Sequence, residues 1–205
     1  MKSRQVMEAP NKAVDHVYFP ETCVASVVAQ NGSNGQDQRI EVGLIGCEGM
    51  SGVTVILGNH RSPLSTYIQI PGNALRIEVG RFREALEQSR SLHATLMKFA
   101  QVFMTQAAQT AVANGRARLP ERMARWLLMA HDRTVSDEVP LTHEFLSVML
   151  GVRRASVTVA MHDFQRAGLV GVKRGEIAVR DRKGLEKIAG SFYGVPESEY
   201  KRLIS

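Results

Sequence analysis

The sequence predicts an α+β chain in three parts: an N-terminal antiparallel β-roll over residues 1–89, a long central helix over 90–116, and a C-terminal winged helix-turn-helix over 117–205. Three observations predict it. Short β-branched runs punctuated by glycine fill the stretch from Val14 to Ile77. From Leu92 to Gly115 neither proline nor glycine interrupts a run with apolar residues at steps of three and four. The segment LTHEFLSVMLGVRRASVTVAMHDFQRA, Leu141 to Ala167, splits at Gly151 into two short helical stretches.

In chain order, Val24 to Val28, Arg39 to Leu44, Val53 to Leu57 and Thr66 to Ile70 are the expected strands of the roll. Asn31-Gly32, Asn34-Gly35 and Pro71-Gly72-Asn73 are turn material. A short helix is expected over Arg81 to Gln88. In the long helix that follows, Leu92, Leu96, Phe99, Phe103, Ala107, Thr110 and Asn114 form one seam, weakening toward its end. A helix of about 23 residues spans near 34 Å, and its place between the two other parts suggests a two-helix dimer seam; the alternative is that the stripe packs on its own roll. Pro120 suits a first helical turn, and Glu121 to His131 carries Met123, Trp126, Leu127 and Ala130 on one side, with Trp126 as core anchor. Thr134 to Pro140 looks like a polar linker, Lys183 to Ala189 like a helix, and Glu197 to Leu203 like a last helix in the tail.

The helix pair carries the chemistry. Thr142 can cap the first helix, and Glu144 meets the positive end of its dipole. Gly151 supplies a positive φ at no steric cost. At the start of the second helix stand Arg153, Arg154, Ser156 and Thr158, side-chain types that reach phosphates and base edges when a helix N-terminus enters the major groove. His143, beside the first helix start, is a candidate phosphate contact. Past Gly168, LVGVKRGEIAVRD alternates as two strands around Lys173-Arg174-Gly175, a basic hairpin tip that would flank the helix as a wing.

The formal net charge of +6 favours an anionic partner, and the excess sits with the helix pair: 15 Lys/Arg against 11 Asp/Glu from Ala117 onward. No apolar run approaches a membrane span and no signal peptide opens the chain, so a cytoplasmic protein without membrane contact is expected. Cys23 and Cys47, without a CxxC pair, are packed or idle thiols. There is no GxSxG, Walker loop or HExxH, so no enzyme activity, cofactor or metal is expected.

Three stretches carry a family resemblance: RMARWLLMAHDR at Arg122 to Arg133, LTHEFLSVMLGVRRASVT at Leu141 to Thr158, and RAGLVGVKRGEIAVRDRKGLEKIA at Arg166 to Ala189. With VGLIGCEGMSG at Val42 to Gly52, they make the chain resemble the Crp/Fnr family of bacterial transcription regulators. The resemblance implies a cyclic-nucleotide-binding-like roll and a homodimer on a roughly palindromic site in double-stranded DNA. It also implies contact with RNA polymerase. Departures matter as much. Family recognition helices often begin serine-arginine-glutamate-threonine, where this chain has Arg153, Arg154, Ala155 and Ser156, and a further family arginine falls at Val159. The ribose-binding glutamate of the family's cyclic-nucleotide pocket is replaced at Met50; Arg61 and Ser62 could supply its phosphate half, but Pro63 follows. Two cysteines cannot hold the four-cysteine cluster of oxygen-sensing relatives.

The resulting expectation is a homodimeric, sequence-specific DNA-binding regulator that does not respond to cyclic AMP. The alternatives are a small-ligand-gated regulator whose roll senses a cyclic nucleotide or another metabolite, and an adaptor whose winged helix packs on a protein without touching DNA.

Overall fold

VASVVAQ, Val24 to Gln30, holds one hydroxyl, no charge and no other polar side chain before its last residue, so it has no face to turn toward water. In the computed structural model, which describes residues 1–30, 39–173 and 175–204, this run is β3 (Val24–Gln30), buried on both sides. It lies inside a four-stranded antiparallel sheet of order β1-β5-β3-β4, with β1 (Val6–Glu8), β4 (Arg39–Ile45) and β5 (Ser65–Ile70). A second ribbon pairs β2 (His16–Pro20) with β6 (Ala74–Glu78) and completes the roll. The turns expected at Asn31-Gly32 and Asn34-Gly35 lie outside the described residues.

Alternation along β3 sends its side chains into two cores. Ala25 and Val27 join Ile45, Ile68, Val17 and Met50 inside the roll. Val24 and Val28 face the other way and join Leu44 and Ile70 against the C-terminal half. One expected strand is corrected here. Val53 to Leu57 forms a single helical turn, α1 (Val53–Ile56), because Gly52 and Gly58, at φ 74° and 81°, close it at both ends. A turn lets the consecutive residues Val55 and Ile56 both reach the core, whereas a strand would point one of them out.

Next come α2 (Val79–Gln88), capped by the Glu78 carboxylate, and the 27-residue α3 (Arg90–Arg116), capped by Ser89 Oγ. The expected dimer seam is corrected by the packing of α3: Leu96, Phe99 and Phe103 are 7, 4 and 9 % exposed and belong to the roll's core, with Leu92 packed against it. Ala107 is half-buried, and Thr110 Oγ1 accepts from the Arg125 guanidinium at 3.0 Å. Glycines make this approach possible. A Cβ at Gly49 would fall on the Phe99 ring, and one at Gly43 would come within 2.9 Å of Phe103 and Gln106. The stripe turns inward because its bulk fits the hollow those glycines leave in the roll.

Gln106 closes the contact. Its Oε1 accepts from Leu44 N at 2.6 Å and its Nε2 donates to Leu44 O at 3.1 Å, so a side-chain amide pairs the edge of β4. The next helix, α4 (Leu119–His131), is buried on nearly every side from Met123 to Ala130 and packs on the outer face of the sheet. The Trp126 indole, 3 % exposed, donates to Glu41 Oε1 at 2.7 Å, which makes the anchor a polar one as well. Arg133 Nε donates to Glu48 Oε1 at 2.7 Å and ties the end of α4 to the roll. No helix among the described residues is long and apolar enough to cross a membrane.

Replacing Gln106 by leucine keeps the volume but leaves two buried backbone groups of Leu44 unpaired. The expected cost is about 2–4 kcal/mol, read as a lower urea midpoint at unchanged m-value.

Candidate DNA-binding surface

Thr142 Oγ1 accepts from Phe145 N at 3.2 Å and starts α5 (His143–Leu150), whose first turn holds Glu144. Gly151 ends it in the left-handed region at φ 61°, and the next amide, Val152 N, returns to Ser147 O at 2.9 Å. The Arg122 guanidinium donates to Leu150 O, satisfying a carbonyl at the end of α5 and holding the helix pair to α4. The second helix, α6 (Arg154–Arg166), buries Val157, Ala160, Met161 and Phe164.

Arg153, Arg154 and Ser156 stand exposed at the entering end of α6. Among the described residues Arg154 makes one ion pair, 3.8 Å from its Nε to Glu144 Oε2; it is exposed on both sides, and such a pair holds the guanidinium only weakly. Two candidates are placed differently. His143 Nδ1 lies 3.1 Å from Thr158 Oγ1, and that hydroxyl donates its one proton to Arg154 O at 3.1 Å. His143 therefore donates from Nδ1, which in the neutral ring leaves its buried Nε2 without a proton and, among the described residues, without a partner. Burial, with Arg154 and His162 adding to it, holds this imidazole below its ordinary pKa. His143 and Thr158 thus form a brace between the two helices, a role the sequence spacing did not reveal. The outer face of α6 runs on instead through Val159, His162 and Arg166, about one, two and three turns beyond Ala155.

The wing is a three-stranded sheet of order β7-β9-β8, with β8 (Val170–Lys173) and β9 (Glu176–Val179) as expected. The third strand, β7 (Glu138–Pro140), corrects the expected linker. Its one buried residue, Val139, anchors it beneath Ile177, and Pro140 is tolerated because β7 is an edge. Lys173 is exposed near the tip and lies 3.3 Å from Glu138 Oε1; Arg174 lies outside the described residues. After the wing, α7 (Arg182–Ala189) and α8 (Val195–Leu203) return to the body. Arg182 bonds Asp132 at 2.8 Å and Tyr193 Oη at 2.7 Å, fixing that return to the end of α4.

In the roll, the residues considered for an effector do not converge. Arg61 is exposed, whereas Ser62 is buried and its Oγ accepts from Leu64 N at 3.0 Å. Met50 is fully buried, Ser51 Oγ accepts from Tyr18 N at 3.0 Å, and Gly52 N donates to the buried carboxylate of Glu8 at 2.8 Å. Burial raises the pKa of Glu8.

Residues 121–188 match the family model described as the Crp-like helix-turn-helix domain. No curated protein sequence matches the chain. Among solved structures, FixK2 from Bradyrhizobium japonicum is similar at 16 % identity and a TM-score of 0.78, over 93 % of this chain and 95 % of that one. TTHB099, a CRP-family transcriptional regulator from Thermus thermophilus, is similar at 19 % identity and a TM-score of 0.70, over 93 % and 96 %. CLP from Xanthomonas campestris, described as a c-di-GMP-responsive global regulator, is similar at 12 % identity and a TM-score of 0.63, over 87 % and 91 %. The chain has the fold of CRP/FNR-type transcription regulators. Its C-terminal part is a Crp-like helix-turn-helix domain.

Proposed function

We propose that this protein is a sequence-specific DNA-binding transcription regulator that acts as a homodimer on a near-palindromic site and does not require cyclic AMP. The observation that carries the reading is the entering end of α6, where Arg153, Arg154 and Ser156 are exposed, together with the exposed Lys173 of the wing. A helix N-terminus with two arginines offers bidentate contacts to guanine, and a basic wing offers contacts to phosphate. Ala155 has no carboxylate to accept from a cytosine amino group, so the site read differs from one recognised through a glutamate there.

Independence from cyclic AMP is supported by the roll's own side chains. Where the family resemblance places a ribose hydroxyl, this chain has buried Met50, and Glu8 already takes the Gly52 amide. A polar group buried there without a partner would lose about 1–3 kcal/mol. Ligand gating keeps one observation in its favour, a cavity of about 320 Å³ between Cys47 and Glu48 of the roll, α3, the end of α4 and α8.

The dimer is supported by the face of α3 that the roll leaves open. Ala94, Met97, Gln101, Met104, Ala108 and Ala111 recur at alternating steps of three and four and are all exposed, Met104 at 63 %. That is a heptad seam of small and flexible side chains without a charge, self-complementary about a two-fold axis.

With labelled operator and no added cyclic nucleotide, Arg154→Ala is expected to cost about 1–3 kcal/mol on the preferred site and little on random DNA. Lys173→Ala is expected to weaken both alike and to lower the salt slope by about one. Equal losses for Arg154→Ala on both DNAs would contradict the assignment. Met104→Lys sets two ammonium groups face to face on the seam and is expected to raise the dimer dissociation constant by about tenfold or more. Sedimentation of that variant as an unchanged dimer would place the interface elsewhere.

A further inference from the structure

At the centre of the junction between the roll and α4 lies a carboxyl group in an uncommon setting. Glu41 is 4 % exposed, and its neighbours Ser26 and Trp126 are 0 and 3 % exposed. Among the described residues it makes no ion pair. The arginines of α4 and of the turn after it that face this region are engaged elsewhere. Arg125 donates to Phe192 O and Thr110 Oγ1, Arg133 to Glu48 and Met129 O, and Arg122 to Leu150 O. From β5, Tyr67 and Gln69 face the same region, Tyr67 Oη toward Met149 Sδ at 3.7 Å.

With Gln69 Oε1 turned toward Ser26, the protons around Glu41 do not add up for an ionised carboxylate, whereas with the amide reversed they do. Ser26 Oγ lies 2.6 Å from Glu41 Oε2 and 2.9 Å from Gln69 Oε1, and one hydroxyl proton cannot serve two acceptors. A proton on Glu41 completes the chain: Glu41 Oε2–H donates to Ser26 Oγ, which donates to Gln69 Oε1. Trp126 Nε1–H still donates to Oε1. On ionisation, Ser26 turns its proton to the carboxylate. The Gln69 amide must then reverse, presenting to Ser26 the Nε2 that otherwise has no partner among the described residues.

We propose that Glu41 is a proton-binding site that couples pH to the docking of the β-roll on the C-terminal half, the junction tightening when the carboxyl is protonated and loosening when it ionises. Burial supports this direction, pushing the carboxyl from an ordinary 4.5 up to about 7 against the opposing pull of the Ser26 and Trp126 hydrogen bonds and of Arg125 and Arg133. The docked state then binds the proton more tightly than an opened junction with Glu41 in water. Docking is therefore strongest below about 4.5, weakens as the pH rises toward 7, and changes little beyond. The proposal goes beyond the DNA-binding reading and does not depend on it.

Trp126 is the only tryptophan and its indole proton points at Glu41, so the full-length protein carries its own reporter. In an ¹⁵N-labelled sample the single indole resonance is expected to titrate with a midpoint near 7. Its protection against hydrogen exchange is expected to fall about ten- to thirtyfold between pH 5.5 and 8.0. Glu41→Gln, which mimics the protonated group, is expected to abolish the titration and to hold protection constant. Ser26→Ala removes the hydroxyl that accepts from the carboxyl and donates to the carboxylate; the charge-assisted bond is the stronger of the two, so this second variant is expected to move the midpoint up. A midpoint below 5, a titration that persists in Glu41→Gln, or a midpoint unmoved in Ser26→Ala would overturn the proposal.

Discussion

The structure depends on a sheet that is covered on both faces. The sheet β1-β5-β3-β4 closes the roll with Ala25, Val27, Ile45 and Ile68, and gives its other side, through Val24, Val28, Leu44 and Ile70, to α4 and the helix pair beyond it. A strand in that position has no polar face to spare, which is why VASVVAQ is almost wholly apolar. The few polar groups that enter the second interface must therefore be matched there, and Ser26, Glu41, Gln69 and Trp126 bond to one another. In this arrangement the roll and the helix-turn-helix share a core, and the orientation of α6 is set by the same contacts that bury the sheet.

The central helix takes part on two sides. Its bulky stripe fills the roll against Gly43 and Gly49, and its opposite face of alanine, methionine and glutamine stays open. Both stripes recur at steps of three and four, and the sequence reading took up only the bulkier one. Hydrophobicity alone ranks the stripe of Leu96, Phe99 and Phe103 first, and that is the stripe the roll buries. What decides the matter is which stripe has a hollow to enter, and the hollow is made by glycines about 50 residues earlier in the chain. Such a long-range fit has no local signature.

The parts legible in the sequence are those governed by local rules. Thr142 as cap, Gly151 at positive φ, the two strands of the wing and the ends of α3 all follow from propensity and turn chemistry, and the structure places them as expected. The parts that were missed are tertiary. Val53 to Ile56 has the composition of a strand, but flanking glycines curl it. Glu138 to Pro140 is too short and polar to announce a strand until β9 offers it an edge. His143 looked like a ligand for phosphate because of its place beside a helix start; its bond to Thr158, fifteen residues away, turns it inward.

A shared core makes a direct statement about cooperativity. If α4 and the sheet stabilise each other, the roll and the C-terminal half unfold together. Urea unfolding followed at once by Trp126 fluorescence and by amide exchange in β2 and β6, the ribbon on the far side of the roll, tests this. The account predicts coincident midpoints and equal free energies from the two probes. A ribbon that stays protected after the Trp126 transition is complete would show two independent domains and contradict it.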